Sequence, residues 1–489
     1  MLSAVEAMAD PLLFEPWFRG PSWSNWKSVL RAAFAMPLSV ADRAFFRTVA
    51  ERDPPPRRVR ELWIVAGRRS GKDSVASLLT AHAAASFESK GKLKRGSLLR
   101  KGERALAACL ACDRDQAAIV LNYARSYFTD LALLRGLVSR ERAGGFELTN
   151  AVDIAVATNS FRSVRGRPVL TAILDECAFY RDERSTNPDE EVYRAITPGM
   201  ATLPESMLIG ISTPYAKRGL LYKKFKDNFG RATDDVLVIR APTVALNPTI
   251  DRTVIDRAMA DDPVAAKAEW LSEFRSDVTG LIDADIIEAA VDRGVLVRPP
   301  VPGVSYVSFC DPSGGQVDST TAAIAHRDGD TAVLDCLMEI RAPHNPAAAI
   351  EQIAPVLRSY GLHRTVADKF AAGFAVDAFA QCGIKLAHSE RDRSQLYLEA
   401  LPLFSSGRVR LLDNRRLVTQ FAALERRTFA SGKDRVDHGP GGHDDVCNAA
   451  AGALVLAAGG KPSFAGLITD AVLARARVPS HRSRLGSLA

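Results

Sequence analysis

Short apolar runs recur between residues 60 and 241: "LWIVA", "RALAACLA", "VDIAVAT", "LTAILDE", "SMLIGIS" and "DVLVIRAP". They are continuous rather than alternating, which predicts strands buried on both faces. The helical stretches between them predict a mostly parallel α/β sheet over residues 56–245. Upstream, "PSWSNWKSVLRAAF" has helical spacing, and residues 1–55 read as a helical segment closed by the breaker "DPPPRR". Residues 246–300 read as a helical linker ending at the Pro/Gly punctuation "VRPPVPG". A second α/β unit is predicted over 301–460. Its strands are "VSYVSFCDPS", a hairpin "TAAIAHRDGDTAVLDCLMEI" turning at Asp328-Gly329, and "RTVADKF", and a helix follows "GGHDD". The run "AAAGALVLAA" is too short to span a membrane and reads as a buried helix. No internal repeat is found. Residues 461–489 form a basic tail.

Composition changes this picture little. A chain of 489 residues, 47% hydrophobic and 25% charged, is that of a soluble multidomain protein. The N-terminus carries acids and no basic n-region, so no signal peptide is expected. Seven scattered cysteines imply no disulfide framework, and the lone pair Cys109/Cys112 reads as two thiols in a reducing, intracellular compartment. The net charge of +7 is a mild hint of a polyanion partner. Residues 301–460 stand apart, with 16 Lys/Arg against 18 Asp/Glu, which fits clustered functional carboxylates there.

The stretch "WIVAGRRSGKDSVASLL" has the context of a phosphate-binding loop: a strand, then Gly67, Arg68, Arg69, Ser70, Gly71 and Lys72, then an apolar helix. Glycine lets backbone N–H groups approach phosphate oxygens, the lysine neutralises charge, and the helix N-terminus faces the anion. The fit is imperfect. Ala66 holds the first Gly position and Asp73 holds the Ser/Thr position. A carboxylate at 73 repels a triphosphate unless it coordinates Mg2+ itself; Ser74 stands beside it as a spare hydroxyl. In "LTAILDECAFY" four apolar residues run into Asp175-Glu176. Asp175 there would hold Mg2+, and Glu176 would orient and deprotonate the attacking water. Ser212 and Thr213, ending "SMLIGIST", are placed to sense the γ-phosphate. Because Lys72, Asp175 and Glu176 are all retained, an active variant is favoured over a decayed site. Arg68, Arg69, Arg162 and Arg165 are candidates for a transition-state arginine, with Arg165 preferred.

In the second unit Asp311 and Asp368 each end an apolar strand, and "GPGGHDDVCNAAAGA" places His443, Asp444 and Asp445 at a helix start. Asp444 alone would serve as an N-cap and Asp311 as a turn former. Carboxylates converging from three segments repel one another without a cation. Such an arrangement holds two Mg2+ or Mn2+ ions for phosphodiester cleavage.

Taken in order, "GRRSGKD", "SFRSVRGRPVLTAILDECAFYRDE", "ISTPYAKRGLLYKKF", "AEWLSEFRSDV", "FCDPSGGQVDSTT", "DKFAAG", "LERRTF" and "GGHDDVCNAAAGALV" resemble the large subunit of a tailed-bacteriophage terminase over residues 20–458. The resemblance implies an N-terminal P-loop ATPase of the additional-strand type and a C-terminal RNase H-like nuclease. Gly71, Lys72, Asp175 and Glu176 would then bind and hydrolyse ATP, and Ser212–Pro214 would couple hydrolysis to movement. Trp23 and Trp26 match the adenine-side segment. Asp311, Asp368 and either Asp444 or Asp445 would hold Mg2+ or Mn2+ to cut concatemeric DNA. It further implies double-stranded DNA, a terminase small subunit and a portal protein as partners, and a homo-oligomeric ring on the procapsid. The setting would be the cytoplasm of the infected host, with the protein absent from the mature virion. Ala66 and Asp73 depart from the family pattern and bear on the rate of ATP turnover.

Two basic stretches stay open: "SKGKLKRGSLLRKGER" as a DNA-backbone contact or a solvated loop, and "RARVPSHRSR" as a portal or DNA contact or a disordered end. Two other readings share parts of the pattern. One is a helicase-like or repair ATPase fused to a nuclease. The other is a DNA-binding docking subunit with a dead nucleotide site, supported by Asp73 alone.

Overall fold

The computed structural model describes residues 2–88, 98–112, 114–142, 144–158, 164–180, 188–368, 373–428, 434–439 and 442–459. Arg162, most of the basic stretch 89–104 and the tail 461–489 lie outside the described residues. Two compact units divide the chain. The first is Met1–Gly280 with the return segments Glu425–Arg435 and Gly439–Gly442. The second is Leu281–Leu424, Val436–His438 and the chain from His443.

This division cuts through the 246–300 stretch read as a linker. Strand β9 (Val278–Gly280) pairs antiparallel with Glu425–Arg427 and so belongs to the first unit. Leu281, Ile282 and Ile287 are core residues of the second. Residues 1–55 are likewise no separate body, since Trp26, Val29, Leu30 and Phe46 are wholly buried in the first unit's main core.

The first unit is built on strands β1 (Glu61–Ala66), β2 (Ala105–Ala111), β3 (Val138–Arg142), β4 (Gly145–Leu148), β5 (Val152–Thr158), β6 (Val169–Asp175), β7 (Met207–Ser212) and β8 (Val236–Ala241). Their order is β3-β4-β5-β2-β6-β7-β1-β8, parallel from β5 to β8. Successive side chains alternate between two buried faces. Leu62, Ile64 and Ala66 of β1 enter one core while Trp63 and Val65 enter the other, and β2 divides in the same way. Burial on both sides explains the unbroken apolar runs. The β3–β4 hairpin went unread because β3, "VSRER", is an exposed polar edge strand.

In the second unit β10 (Val291–Asp292), β11 (Tyr306–Asp311), β12 (Thr320–Asp328), β13 (Thr331–Ile340), β14 (Arg364–Ala367), β15 (Lys385–His388) and β16 (Val409–Leu412) form a sheet ordered β10-β16-β13-β12-β11-β14-β15. The meander β11-β12-β13 is antiparallel, whereas β14 and β15 lie parallel beside β11, which is the RNase H-like arrangement. The hairpin turns at Gly329-Asp330, one residue later than read. Helix α1 (Asp445–Ala458) lies on one face, with Phe309, Ala323 and Leu334. Helix α2, the earlier segment Pro346–Ser359, covers the other, with Cys310, Ile324 and Cys336. A Cβ at Gly452 would stand 2.3 Å from the Phe309 ring, so glycine there lets α1 approach the strand that carries Asp311. The predicted fold class, a P-loop-type α/β unit followed by an RNase H-like unit, is the one the chain adopts.

Candidate functional site: two carboxylate centres

In the first unit β7 lies between β1 and β6. The loop after β1 and the Asp175-Glu176 pair after β6 therefore face one end of a parallel sheet with an additional strand between them. Ligands bind at such strand ends. The loop's carbonyls point outward and are held: Thr243 Oγ1 donates to Arg68 O (2.8 Å), Asn247 Nδ2 to Arg69 O (2.8 Å) and Trp26 Nε1 to Ser70 O (2.8 Å). Gly71 sits at φ +88°, a conformation that disfavours side chains, and a Cβ there would meet Trp23 at 3.0 Å. Trp23 and Trp26 thus pack directly on the loop. The first amides of helix Lys72–Ser86 have no intrahelical acceptor and open toward any anion at its N-terminus.

Lys72, with a side chain 6% exposed, places Nζ 2.8 Å from Glu176 Oε1. Burial pulls the lysine pKa down, yet Glu176, Asp73 and Asp175 together raise it above its usual value, so Lys72 is charged. Glu176 is held at φ +47°, in the left-handed region, which signals local strain. Its Oε2 accepts from Ser212 Oγ (2.9 Å), Thr213 N–H (3.2 Å) and Thr213 Oγ1 (3.3 Å). Ser212 and Thr213 therefore grip the glutamate, whereas the sequence reading assigned them to the γ-phosphate.

Asp175 is buried, and its Oδ1 has no hydrogen-bond partner; the same holds for Ser70 Oγ. Burial, with the charges of Asp73 and Glu176 adding and Lys72 opposing, pushes Asp175 up to about 8. Asp73 is also raised, first by burial. Three carboxylates around one lysine, with an orphaned oxygen among them, fit a divalent cation beside a phosphate chain. Ser74 lies half-buried in the helix's first turn.

The arginines divide. Arg68 pairs with Glu269 at 3.1 Å and Arg69 is exposed on the loop. Arg165 is exposed before the start of β6, and its near neighbour Arg167 bonds Asp153 near the start of β5. That is the opposite end of the sheet from Asp175, about 20 Å away for a seven-residue strand. The structure does not bring Arg165 to the other predicted residues of its own chain.

In the second unit Asp311 ends β11 and Asp368 follows β14, its parallel neighbour. Asp445 opens helix α1, and Asn448 one turn later donates to Asp311 Oδ2 (2.8 Å). Burial, eased by that bond and reinforced by the charges of Asp445, Asp368 and Asp444, pushes Asp311 up to about 7. Asp445 accepts from Ser319 N–H at 3.2 Å and is raised, first by burial. The charges of Asp368, Asp444 and Asp445 thus all bear on Asp311.

Asp444 differs. It is 3% exposed, with Oδ1 2.9 Å from Arg393 Nη1 and Oδ2 accepting from the Tyr397 hydroxyl at 2.9 Å. Each oxygen thus carries a side-chain donor, and the side chain caps nothing. Of the two candidates, Asp444 is the one already engaged by side-chain donors on both oxygens. His443, part of the His-Asp-Asp triplet, and Asp318, which sequence reasoning did not name, join Asp445: ligand atoms of Asp318, His443 and Asp445 lie within 4.8 Å of one another. The signal for Asp318 was its place in "DPSGGQVDSTT", a turn leading from Asp311 back into β12. The donor set, all hard oxygen but for one imidazole, fits Mg2+ or Mn2+.

All seven cysteines are free thiols, and among the described residues no helix is long and apolar enough to cross a membrane.

No protein-family model and no curated protein matches the chain. Solved structures do. The large terminase of bacteriophage HK97 matches at 17% identity and a TM-score of 0.37, over 86% of this chain and 95% of that one. The ADP complex of the large terminase from thermophilic bacteriophage D6E matches at 13% identity and 0.38, over 87% and 97%. The magnesium-bound large terminase nuclease of thermophilic phage G20c matches at 20% and 0.30, over 35% and 94%. Since these scores lie below 0.5, the residue roles above derive from geometry and not from likeness. Along most of its length the chain is similar to the large terminases of bacteriophages.

Proposed function

We propose that the chain is the large subunit of a phage terminase, with an ATPase site in the first unit driving double-stranded DNA into procapsids and a metal-dependent nuclease in the second cutting concatemeric DNA. The observation that carries the reading is the pairing of two distinct carboxylate centres in one chain. One is built around Lys72, Asp175 and Glu176, the other around Asp311, Asp368 and Asp445.

In the first, Lys72 and the amides that open the helix bind the β- and γ-phosphates of ATP. Glu176, oriented by Ser212 and Thr213, takes the proton of the attacking water. On ATP binding Lys72 exchanges its bond to Glu176 for phosphate oxygens, which frees the carboxylate. In the second, Asn448 and Ser319 fix the carboxylates of Asp311 and Asp445. Divalent cations held by Asp73 and Asp175 at one site, and by Asp311, Asp368, Asp445, Asp318 and His443 at the other, would supply charge neutralisation at the phosphates and an acidified water. Terminase small subunit, portal protein and ring assembly on the procapsid, in the host cytoplasm, are the partners and setting this reading proposes.

Purified protein incubated with plasmid and Mn2+ or Mg2+, wild type against Asp311→Ala, tests the nuclease. ATP hydrolysis by wild type against Glu176→Ala tests the motor. Each variant should lose its own activity and keep the other. Loss of both activities in either variant, with the fold intact, would overturn the two-site division.

A further inference from the structure

Two sequence stretches that the proposed chemistry leaves unused, "PYAKRG" after Thr213 and "ERRT" at 425–428, meet in the first unit. Glu425 has 0% exposure, and its Oε2 accepts from the Tyr215 hydroxyl at 2.6 Å across 210 residues of chain. Its Oε1 lies 2.5 Å from Arg218 Nη2. Arg427, two residues on and so on the same strand face, also donates to the Tyr215 hydroxyl at 3.3 Å. The strand is seated by pairing Glu425–Arg427 against Val278–Gly280. Tyr215 is further held from below: Arg275 N–H donates to its carbonyl at 2.8 Å, and its ring lies 5.2 Å from that of Phe179.

Tyr215 is two residues from Thr213, with the rigid Pro214 between, and Phe179 is three residues from Glu176. The tyrosine therefore braces both segments that meet at the Glu176 carboxylate. Burial and the bond to Glu425 push its hydroxyl pKa up to about 12, so it acts as a neutral donor.

We propose that Glu425 is a positioning residue for ATP hydrolysis, acting through Tyr215 on the Ser212–Thr213 segment that orients Glu176. The proposal rests on the ATPase reading above.

The test uses the full chain and steady-state ATP hydrolysis with Mg2+, with and without linear duplex DNA. Nucleotide binding, thermal unfolding and plasmid cutting in Mn2+ are measured alongside. Tyr215→Phe keeps the ring against Phe179 and removes only the hydroxyl; Glu425→Gln keeps an acceptor; Glu425→Ala keeps none. A loosened base should lower kcat by about 10-fold in Tyr215→Phe and about 100-fold in Glu425→Ala, with KM within about twofold. Glu425→Gln should fall between wild type and Glu425→Ala, and plasmid cutting by Tyr215→Phe should match wild type. Unchanged kcat in folded Tyr215→Phe and Glu425→Ala overturns the proposal. So does a kcat loss that merely tracks a parallel loss of thermal stability and plasmid cutting. Hydrolysis absent from wild type itself would remove the ATPase reading and the proposal with it.

Discussion

Lys72 and Glu176 form a buried ion pair at 2.8 Å, while the glutamate's other oxygen is bonded by Ser212 and Thr213. One carboxylate thus links the phosphate-binding lysine to the end of the neighbouring strand. Glu176→Gln keeps the size and hydrogen bonding of the side chain but takes no proton. It should lower ATP turnover by about 10²–10⁴-fold while leaving nucleotide affinity within a few-fold. Single-turnover hydrolysis beside fluorescent-nucleotide binding checks this, and equal losses in both would give Glu176 a binding role instead.

Asp73 sits among Lys72, Asp175 and Glu176, with its pKa raised first by burial. If it holds the cation, Asp73→Ala should raise the Mg2+ concentration needed for half-maximal nucleotide binding by about 10-fold, and Asp73→Thr should restore it. A simple repulsive carboxylate gives the reverse, with Asp73→Ala binding nucleotide more tightly at every Mg2+ concentration. A Mg2+ titration of nucleotide affinity separates the two.

The neighbours Asp444 and Asp445 should part company on mutation. Asp444→Asn leaves Arg393, whose side chain is 36% exposed, without its buried counter-charge and should cost about 2 kcal/mol of stability. Asp445→Asn should leave stability almost untouched and abolish plasmid cutting. Asp318→Ala should weaken Mn2+ affinity by about 10-fold. Thermal unfolding and metal titration by calorimetry read all three.

What was legible in the sequence follows a physical division. Strands buried on both faces announce themselves as apolar runs, so β1, β2, β6 and β7 were all readable, with Asp175 and Glu176 at the end of β6. The β3–β4 hairpin was not, because a polar edge strand looks like a loop. The sequence placed Asp444 and Asp445 together but not apart. A helix that starts at Asp445 turns that residue toward Ser319 and Asp311, while its predecessor faces Arg393 and Tyr397. That difference is tertiary. The same holds for Glu425, a buried acid in a strand of otherwise ordinary polarity, whose partners Tyr215 and Arg218 lie over 200 residues away.

Asp311 gives a prediction in pH. Burial, with the charges of Asp445, Asp368 and Asp444 adding to it, pushes its carboxyl up to about 7, against about 3.9 in an unfolded chain. Between those values the native state keeps a proton that the unfolded state has released. The metal-free protein should therefore lose stability from this group as pH rises from about 4 to about 7, with no further loss above. Asp311→Asn removes the titration. In chelator its advantage over wild type should be small at pH 5 and reach about 2 kcal/mol by pH 8, discounted for partial solvent access. Adding Mn2+ should close the gap by stabilising wild type alone, since a cation that binds only the native carboxylate shifts unfolding by mass action. Thermal unfolding at pH 5 to 8, with chelator and then with Mn2+, reads both arms. A pH-independent difference between the two proteins would mean that Asp311 is ionised throughout the range and its burial is offset by a partner other than a metal.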